Sequence, residues 1–370
     1  MLRTLALLAC LATSASAETL RVAAWDVSLG ADGAGRLLAD LAEPPSPRIA
    51  AIVAVVAATR PDVLLLSGID DDHRGMALAA LAGLFADAPG GIDYPHRFRA
   101  AVNAGEPSGL DLNGNGKRTD WADAWGWGRF PGNGGMGILS RLPIDAAAAL
   151  SFTRLSWATL PGAVLPQRPD GTPFPDAAGS RALRLSSRAH WDVPVALPGG
   201  GRLHLLASNP TPPLFDGPEQ LNARRNHDEI AFWTAWLGGA AFPDDSGALA
   251  RAPAGGFVVL GNLNADPNDG AGLADGIAAL LASPRLHDPR PASDGAAAAA
   301  TAGQAGPPEL DTADWREDGP GNLRVDYVLP SADLAVSGAG VVWPAPGAPL
   351  ADAAATASPH RLVWVDIALP

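Results

Sequence analysis

Short apolar runs alternate with polar segments along the first 150 residues, and their lengths and spacing predict both strands and helices. Short apolar runs predict strands at 20–29, 62–69 and 135–144; the first contains β-branched residues, the second is almost continuously apolar, and a proline ends the third. Longer apolar segments predict helices at 48–59 and 75–87. A polar, glycine-rich connection separates the second helix from the third strand. This half of the chain therefore alternates between the two types of element.

Strands dominate the second half of the chain. The segments 182–197 and 201–210 predict a hairpin, and the apolar run 230–237 predicts a helix. Asn226 is its candidate N-cap, with Glu229 three residues later as in a capping box. Further strands are predicted at 255–267, 322–330, 341–344 and 360–369. Loops rich in glycine, alanine and proline are predicted at 240–256 and 292–309. The pattern predicts one domain over 18–370 with two sheets packed face to face and helices outside.

The N-terminus has the composition of a secretory signal peptide. Arg3 precedes an apolar stretch, and Ala15-Ser16-Ala17 forms a small-residue cleavage site, so we predict removal of residues 1–17. A secreted protein, periplasmic or extracellular, is expected. No other run is long and apolar enough to predict a membrane span. Cys10 is the sole cysteine and lies in the predicted signal peptide, so we expect a mature chain without disulfides. We also expect a monomer.

The charge balance bears on the class of ligand. The chain carries 39 acidic residues against 26 lysines and arginines, a formal net charge of −13. Nonspecific nucleic-acid binding needs a basic surface that displaces counterions, so this balance disfavours it. The balance leaves open a small anionic substrate held by a few arginines.

Four segments, taken in order, carry a family signature: LRVAAWDVSL, GMGILSRLPI, VVLGNLNADP, and RVDYVLPS with a terminal SPHRLVWVDI. Together they resemble the endonuclease/exonuclease/phosphatase superfamily. The resemblance implies a four-layered α/β sandwich of two mixed, mainly antiparallel sheets, with catalytic residues at one edge. It also implies hydrolysis of a phosphoester, either a phosphorylated small molecule or a phosphodiester, with Mg²⁺ or Mn²⁺ as cofactor.

The resemblance assigns six positions to the catalytic site. Three of them keep the residue that the family pattern has: Asn264, Asp326 and His360. The other three are Asp26, Asn209 and Asn262. Asp26 replaces an asparagine, Asn209 replaces a histidine, and Asn262 replaces the aspartate that orients water.

Two further departures concern carboxylates. Gly68 stands where the family has its metal-binding glutamate, and Pro359 stands where an aspartate precedes the last histidine. We therefore expect His360 to have lost its supporting carboxylate. Asp70 shares strand parity with Gly68 and is a candidate substitute ligand, beside the alternative of a solvated Asp70–Asp72 turn. With Asp26 and Asp326 it makes up the candidate divalent-metal site.

Two functions follow from these substitutions. The first is a secreted metal-dependent phosphoester hydrolase with strongly reduced activity, because the loss of several ligands and bases removes orders of magnitude in rate. The second is a catalytically inactive relative that acts as a secreted binding protein.

A second candidate metal site lies in a predicted insertion at 100–130. Asp111, Asn113, Asn115 and Lys117 occupy the spacing that begins an EF-hand-type calcium loop, D-x-N-x-N-G. The bidentate glutamate of the twelfth position is absent. A Ca²⁺ site over 111–123 and an asparagine- and glycine-rich turn without an ion are the two alternatives.

Two other groups have both a functional and a structural interpretation. Trp121, Trp125 and Trp127 either line a cleft or pack beneath the long loop. Arg224 and Arg225 either clamp a phosphate or pair with nearby acidic residues.

Overall fold

The computed structural model describes residues 19–72 and 74–369, so the predicted signal peptide lies outside the described residues. Thirteen strands are described there: β1 (Thr19–Asp26), β2 (Val63–Ile69), β3 (His96–Phe98), β4 (Gly135–Ser140), β5 (Leu150–Ser151), β6 (His190–Ala196), β7 (Arg202–Ser208), β8 (Phe242–Pro243), β9 (Leu249–Ala250), β10 (Phe257–Asn262), β11 (Asp326–Pro330), β12 (Val336–Val341) and β13 (Val363–Ala368). The described α-helices are α1 (Arg36–Ala42), α2 (Pro47–Thr59), α3 (Met76–Asp87), α4 (Ala177–Ala182), α5 (Leu221–Leu237), α6 (Ala274–Leu281), α7 (Asp294–Ala298) and α8 (Ala351–Ala357).

The strands form two large mixed sheets. One has the order β12-β13-β1-β2-β4-β3, and the other has the order β11-β10-β7-β6-β5. Each contains one parallel pair, β1 with β2 and β7 with β10, among antiparallel neighbours. A separate hairpin joins β8 and β9. The sheets do not close into a barrel.

Alternation along the strands produces the layers. In β1, Val22 and Ala24 face the apolar core between the two sheets, whereas Ala23 and Trp25 face a second core. Helices α1, α2, α3 and α8 cover this second core. Helices α5 and α6 cover a third core on the outer face of the other sheet. Because side chains alternate between faces, both sheets are buried on both sides. The predicted four-layered sandwich with helices outside is confirmed.

Residues at the two ends of α2 determine where this helix begins and ends. The Ser46 hydroxyl accepts a hydrogen bond from the backbone N–H of Ile49 at 3.3 Å, and Pro47 fits the first helical position. Arg60 adopts a left-handed conformation that ends α2 one residue before Pro61. The bounds therefore agree with the sequence prediction to within one residue.

The N-cap prediction for the later helix is wrong. Helix α5 begins at Leu221, five residues before Asn226. Asn226 is buried inside the helix, and its side-chain amide donates to the carbonyls of Thr211 and Leu263 at 2.8 and 2.9 Å. Glu229 is also buried and takes up tertiary hydrogen bonds. These polar side chains fasten the helix to the strand ends instead of capping it.

Two other predicted segments differ from the structure. The hairpin strand begins at His190, and residues 183–189 run as an irregular segment after α4. The two regions predicted as loops contain the β8–β9 hairpin and the short helix α7. In both regions the backbone bonds to distant segments, since Asp245 N–H donates to the Ser151 carbonyl at 2.7 Å and Gly295 N–H to the Trp343 carbonyl at 2.9 Å.

The functional segments lie together because several strands begin or end at one edge of the sandwich. Asp26 ends β1, Asn262 ends β10, and Asp326 begins β11. The β10–β11 register places Asn262 directly opposite Asp326. Asn209 follows β7, the parallel neighbour of β10.

Within the described residues, no single helix is long and apolar enough to cross a bilayer. Helices α1 and α2, bent by 78°, meet that length and composition only when taken as a pair.

Candidate functional site

A cleft with a volume of about 690 Å³ opens at this edge of the sandwich. Five of the six catalytic positions predicted from the sequence line it: Asp26, Asn209, Asn262, Asn264 and His360. The sixth, Asp326, is only 1% exposed and lies behind His360. The structure therefore brings together residues that are up to 334 positions apart in the sequence.

Asp26 is held as an ionised carboxylate by hydrogen-bond donors. Its Oδ1 accepts from the backbone N–H and the hydroxyl of Ser28 at 2.8 and 2.9 Å, and its Oδ2 accepts from the Asn262 amide at 3.1 Å. Burial by itself raises the pKa of Asp26, but the His360 cation and these hydrogen bonds outweigh it and lower the pKa below its ordinary value.

Gly68 cannot be replaced by a larger residue without a rearrangement around Asp26. The residue has φ +69°, in the left-handed region. A Cβ atom built at this position would lie 2.4 Å from Asp26 Oδ1 and 2.7 Å from the backbone nitrogen of Ser28. The loop after β1 therefore occupies the space that a side chain at position 68 would need.

His360 keeps a carboxylate partner, contrary to the expectation drawn from Pro359. Its Nδ1 lies 2.9 Å from Asp326 Oδ2, which also accepts from the Thr312 hydroxyl at 3.0 Å. Burial opposes the charge on His360, but Asp326 and Asp26 outweigh it and raise the pKa of His360 to about 9. The imidazole is therefore a cation at neutral pH.

The three asparagines of the cleft are fixed in different ways. Asn262 uses both ends of its amide, since its Oδ1 accepts from the backbone N–H of Asn264 at 3.0 Å. Asn264 has φ +51° and donates its Nδ2 to the carbonyl of Pro210 at 2.8 Å. Asn209 is 5% exposed, and its backbone carbonyl accepts from Ser187.

Asp70 does not join this group. One of its oxygens accepts from the backbone N–H of Ala31 at 3.0 Å. The other accepts from the side chain of Asn133 and the backbone N–H of Gly134 at 3.0 and 2.9 Å. The carboxylate is buried and ties two loops together, so it is neither a ligand beside Asp26 nor part of a solvated turn.

Arg188 lines the cleft and was not singled out by the sequence analysis. It lies two residues before β6, and its Nε donates to the carbonyl of Gly134 at 2.9 Å. Burial lowers the pKa of Arg188, while the negative charges of Glu229 and Asp26 oppose that shift. No motif marks this arginine, because only the tertiary fold places it opposite Asp26.

Of the tryptophans in the long loop, one lines the cleft and another packs beneath the loop, so each of the two interpretations holds for part of the group. Trp127 lines the cleft and is 54% exposed, with the equally exposed Trp121 in edge-to-face contact at 6.4 Å. Trp125 packs against the core beneath α5. Arg225, for which two roles had been considered, is buried and donates to backbone carbonyls, including that of Leu185 at 3.0 Å.

The predicted calcium loop lies apart from the cleft. Asp111 accepts from the backbone N–H groups of Asn115 and Gly116 at 3.0 and 2.8 Å. Asn113 accepts from the same Asn115 nitrogen at 3.0 Å, and Lys117 donates its backbone N–H to the Asn115 side chain. These bonds fold the loop tightly, and the Ca²⁺ site stays a prediction.

A family model described as the endonuclease/exonuclease/phosphatase family matches residues 25–360. The chain belongs to the endonuclease/exonuclease/phosphatase family. The match begins one residue before Asp26 and ends at His360, so it contains all six catalytic positions discussed above.

Two solved structures that carry the family name share the fold, and a third solved structure is similar to this chain. An endonuclease/exonuclease/phosphatase from Beutenbergia cavernae is 20% identical, with 95% of this chain and 72% of that chain covered and a TM-score of 0.53. A family protein from Leptotrichia buccalis is 13% identical, with 95% and 100% covered and a TM-score of 0.50. The sphingomyelinase C from Streptomyces griseocarneus is 17% identical, with 94% and 99% covered and a TM-score of 0.48. No curated protein matches the chain.

The endonuclease/exonuclease/phosphatase family uses divalent metals, but the residues of this cleft do not fit one. In the part of the chain that the structure describes, no group of three or more His, Cys, Asp or Glu side chains is arranged to hold a metal ion. Of the two predicted carboxylate ligands here, Asp26 has donors on both oxygens, whereas Asp326 has them on Oδ2 only and its buried Oδ1 has no hydrogen-bond partner. Mg²⁺ is usually held by one or two carboxylates, with water completing its octahedron, but here the oxygens of Asp26 already accept hydrogen bonds and Gly68 supplies no carboxylate.

Proposed function

We propose that this chain is a secreted member of the family whose cleft binds a phosphoester or a related anion, and whose metal-dependent hydrolysis is strongly reduced. The observation that carries the proposal is the environment of Asp26. Its carboxylate faces Gly68 and the amide of Asn262, where the family pattern has a glutamate and an aspartate. A cluster of carboxylates that would attract a divalent cation is replaced by one carboxylate with its hydrogen bonds satisfied.

The asparagine at position 262 also removes the carboxylate that would act as a general base on the attacking water. A carboxylate at position 262 accepts a proton or orients a water molecule, whereas the Asn262 amide has no basic oxygen. Its oxygen is also occupied by the backbone N–H of Asn264. His360 is protonated at neutral pH, so it stabilises an anion rather than accepting a proton. The charged His360 can still bind an anion, but the cleft no longer has the carboxylate that would activate the nucleophilic water.

The alternative function, a binding protein without catalysis, differs from this one in degree. The buried His360–Asp326 pair favours a residual activity, because a charged imidazole placed in the cleft can stabilise a leaving or bridging oxygen. The loss of the carboxylates at positions 68 and 262 favours the absence of catalysis. Turnover measurements separate the two.

The test is an assay of the purified mature protein with bis-p-nitrophenyl phosphate, p-nitrophenyl phosphate and plasmid DNA. Each substrate is tested with Mg²⁺, Mn²⁺ and Ca²⁺, beside a family member that keeps all six catalytic residues. We expect turnover lower by a factor of about 10³ or more, the scale of losing several groups that act together.

Two variants assign any residual turnover to the cleft. His360→Ala removes the charged imidazole. His204→Ala is the matched control, because His204 also pairs with an aspartate, Asp192 at 2.7 Å, but outside the cleft. Metal-dependent turnover within tenfold of the complete relative, lost in His360→Ala and kept in His204→Ala, would refute the proposal.

Secretion is tested separately. Expression of residues 1–370 in a bacterial host, followed by mass spectrometry of the exported protein, should give a chain that begins at Glu18. A protein that stays in the cytoplasm with residues 1–17 intact would contradict this part of the proposal.

A further inference from the structure

Arg188 presents a guanidinium group to the same cleft as Asp26 and His360. Its Nε is used by the carbonyl of Gly134. Among the described residues, no hydrogen bond or ion pair occupies its two terminal nitrogens. An arginine whose terminal nitrogens have no protein partner can bind two oxygens of one anion side by side.

A buried carboxylate fixes the position of this arginine. Glu229 is fully buried, and one of its oxygens accepts from the backbone N–H of Ser187 at 2.6 Å. Its other oxygen accepts from the backbone N–H of Thr211 at 2.8 Å. Glu229 thereby joins the residue before Arg188 to the loop that follows Asn209. Arg188 thus approaches the cleft from a rigid segment and not from a mobile loop.

The arginine supplies positive charge where the metal carboxylates are missing. In a metal-dependent relative, a divalent cation neutralises the oxygens of the substrate. Here Arg188 and the charged His360 line one cavity, and both interact electrostatically with Asp26. Attraction for an oxyanion is therefore local to the end of the cleft where Arg188 and His360 lie. The lining as a whole is not positive, since it contains three cations and four carboxylates: Arg129, Arg188 and His360, and Asp26, Asp32, Asp266 and Asp269.

The mouth of the cleft is apolar. Trp127 is 54% exposed and Phe215 is 93% exposed, and both line the cavity next to Leu214. Phe215 has φ +62°, an unfavourable conformation for a bulky side chain. Asp216 holds this turn by accepting from the first backbone N–H groups of α5 at 2.6 and 2.8 Å. Both exposed rings line the same cavity as Arg188 and His360, where a flat apolar group would cover them.

We propose that Arg188 is the anion-binding residue of a metal-independent site, and that the ligand is a small phosphate-type anion with a flat apolar substituent, as in an aryl phosphate. The anionic end binds Arg188 and His360, and the apolar end stacks on Trp127 and Phe215. This inference rests on the proposed function, since a bound phosphoester persists only where hydrolysis is slow. The net charge of −13 disfavours polyanions and anionic bilayers as alternative ligands.

The test is calorimetric titration of the full mature protein with phenyl phosphate and with inorganic phosphate in excess EDTA. We expect phenyl phosphate to bind without a metal and about tenfold more tightly than phosphate, because it also buries apolar surface at the rim. Phe215→Ala should reduce that difference, because Trp127 remains to contact the phenyl ring, and titration of the same variant with inorganic phosphate gives the reference affinity. Addition of Mg²⁺ should not strengthen either affinity.

Arg188→Gln should weaken both ligands by about tenfold or more, the effect of losing hydrogen bonds to a charged group. Arg154→Gln is the matched control, because Arg154 is an exposed arginine outside the cleft. If Arg188→Gln does not fold, Arg188→Lys takes its place. It keeps the charge and loses the paired donors, so a several-fold weaker affinity is expected.

Three outcomes would overturn the inference: binding that requires Mg²⁺, an affinity unchanged in Arg188→Gln or Arg188→Lys, or binding to phosphatidylcholine vesicles with none to phenyl phosphate. Rapid metal-dependent hydrolysis would instead overturn the proposed function. The two failures are distinguishable, because one is measured in EDTA as binding and the other with metal as turnover.

Discussion

Replacing Asn262 with aspartate would put two carboxylates side by side at the centre of the cleft. In the native protein the Asn262 amide donates to Asp26 Oδ2 at 3.1 Å. Aspartate has nearly the same shape, but it offers an acceptor where the amide offers a donor. The substitution therefore changes the charge of the site with little change in packing, and it restores the carboxylate that the family pattern has at this position.

The distance sets the size of the effect. Two charges 3.1 Å apart repel each other by about 5 kcal/mol at an effective dielectric constant of about 20. Uptake of one proton relieves the repulsion, and from an ordinary pKa near 3.9 this costs about 4 kcal/mol at pH 7. Protonation costs less than the repulsion between two charged carboxylates, so the folded variant takes up a proton. Asn262→Asp should therefore lower the free energy of unfolding by about 4 kcal/mol at pH 7.

The sign of the pH dependence follows from the proton. The folded variant binds one more proton than the unfolded chain between pH 4 and pH 7, so its stability falls as the pH rises. At pH 5 the deficit relative to the native protein should shrink to about 1–2 kcal/mol. Urea unfolding of both proteins at pH 5, 6 and 7, followed by tryptophan fluorescence, measures this change.

Asn262→Ala serves as the control, since it removes the same hydrogen bonds without adding a charge. Its deficit should change much less between pH 5 and pH 7. Mn²⁺ should raise the melting temperature of Asn262→Asp and leave that of Asn262→Ala unchanged. An Asn262→Asp deficit that is independent of pH would show that Asp26 does not face position 262 as an ionised carboxylate, and the reasoning would fail.

Three other predictions address separate parts of the molecule. Because the folded pKa of His360 is raised from 6.5 to about 9, its charge contributes about 3 kcal/mol that is present in full below pH 6.5 and is lost as the pH rises through 9. In His360→Gln the free energy of unfolding should depend less on pH between pH 6.5 and 9.5 than it does in the native protein. An unchanged pH dependence would contradict the charged pair. Gly68→Ala should cost at least about 2 kcal/mol more than Gly90→Ala, because both have φ near +70° but only the former meets Asp26. Equal losses in denaturant titrations would refute the close contact. Ca²⁺ should raise the melting temperature, with the rise lost in Asp111→Ala, and no shift in the native protein would refute the calcium loop.

Much of the fold follows from local pattern. The continuous apolar run Val22-Ala23-Ala24-Trp25 indicates that β1 is covered on both faces, and two such sheets imply a four-layered sandwich. The bounds of α2 follow from its serine cap and the proline after it. These signals lie within a few residues of the element that they specify, so they can be read without knowledge of the rest of the chain.

The sequence also indicated which residues meet, because its ordered motifs resemble those of a family whose catalytic residues lie at one edge. It did not determine their partners. Asp326 pairs with His360 across 34 residues, so the loss of an aspartate beside the histidine was misleading. Asp70 accepts hydrogen bonds from the backbone of two loops, and nothing in the neighbouring sequence distinguishes that role from metal binding.

The character of the cleft was decided by tertiary structure alone. Arg188, Glu229 and Phe215 belong to no motif, yet one buried carboxylate and one strained turn place a guanidinium and an exposed ring at the same cavity. The sequence thus fixes the layers, since burial acts on every second residue of a strand. Hydrogen bonding and charge in the cleft depend on distances of about 3 Å between segments remote in the chain, and only the folded structure sets these.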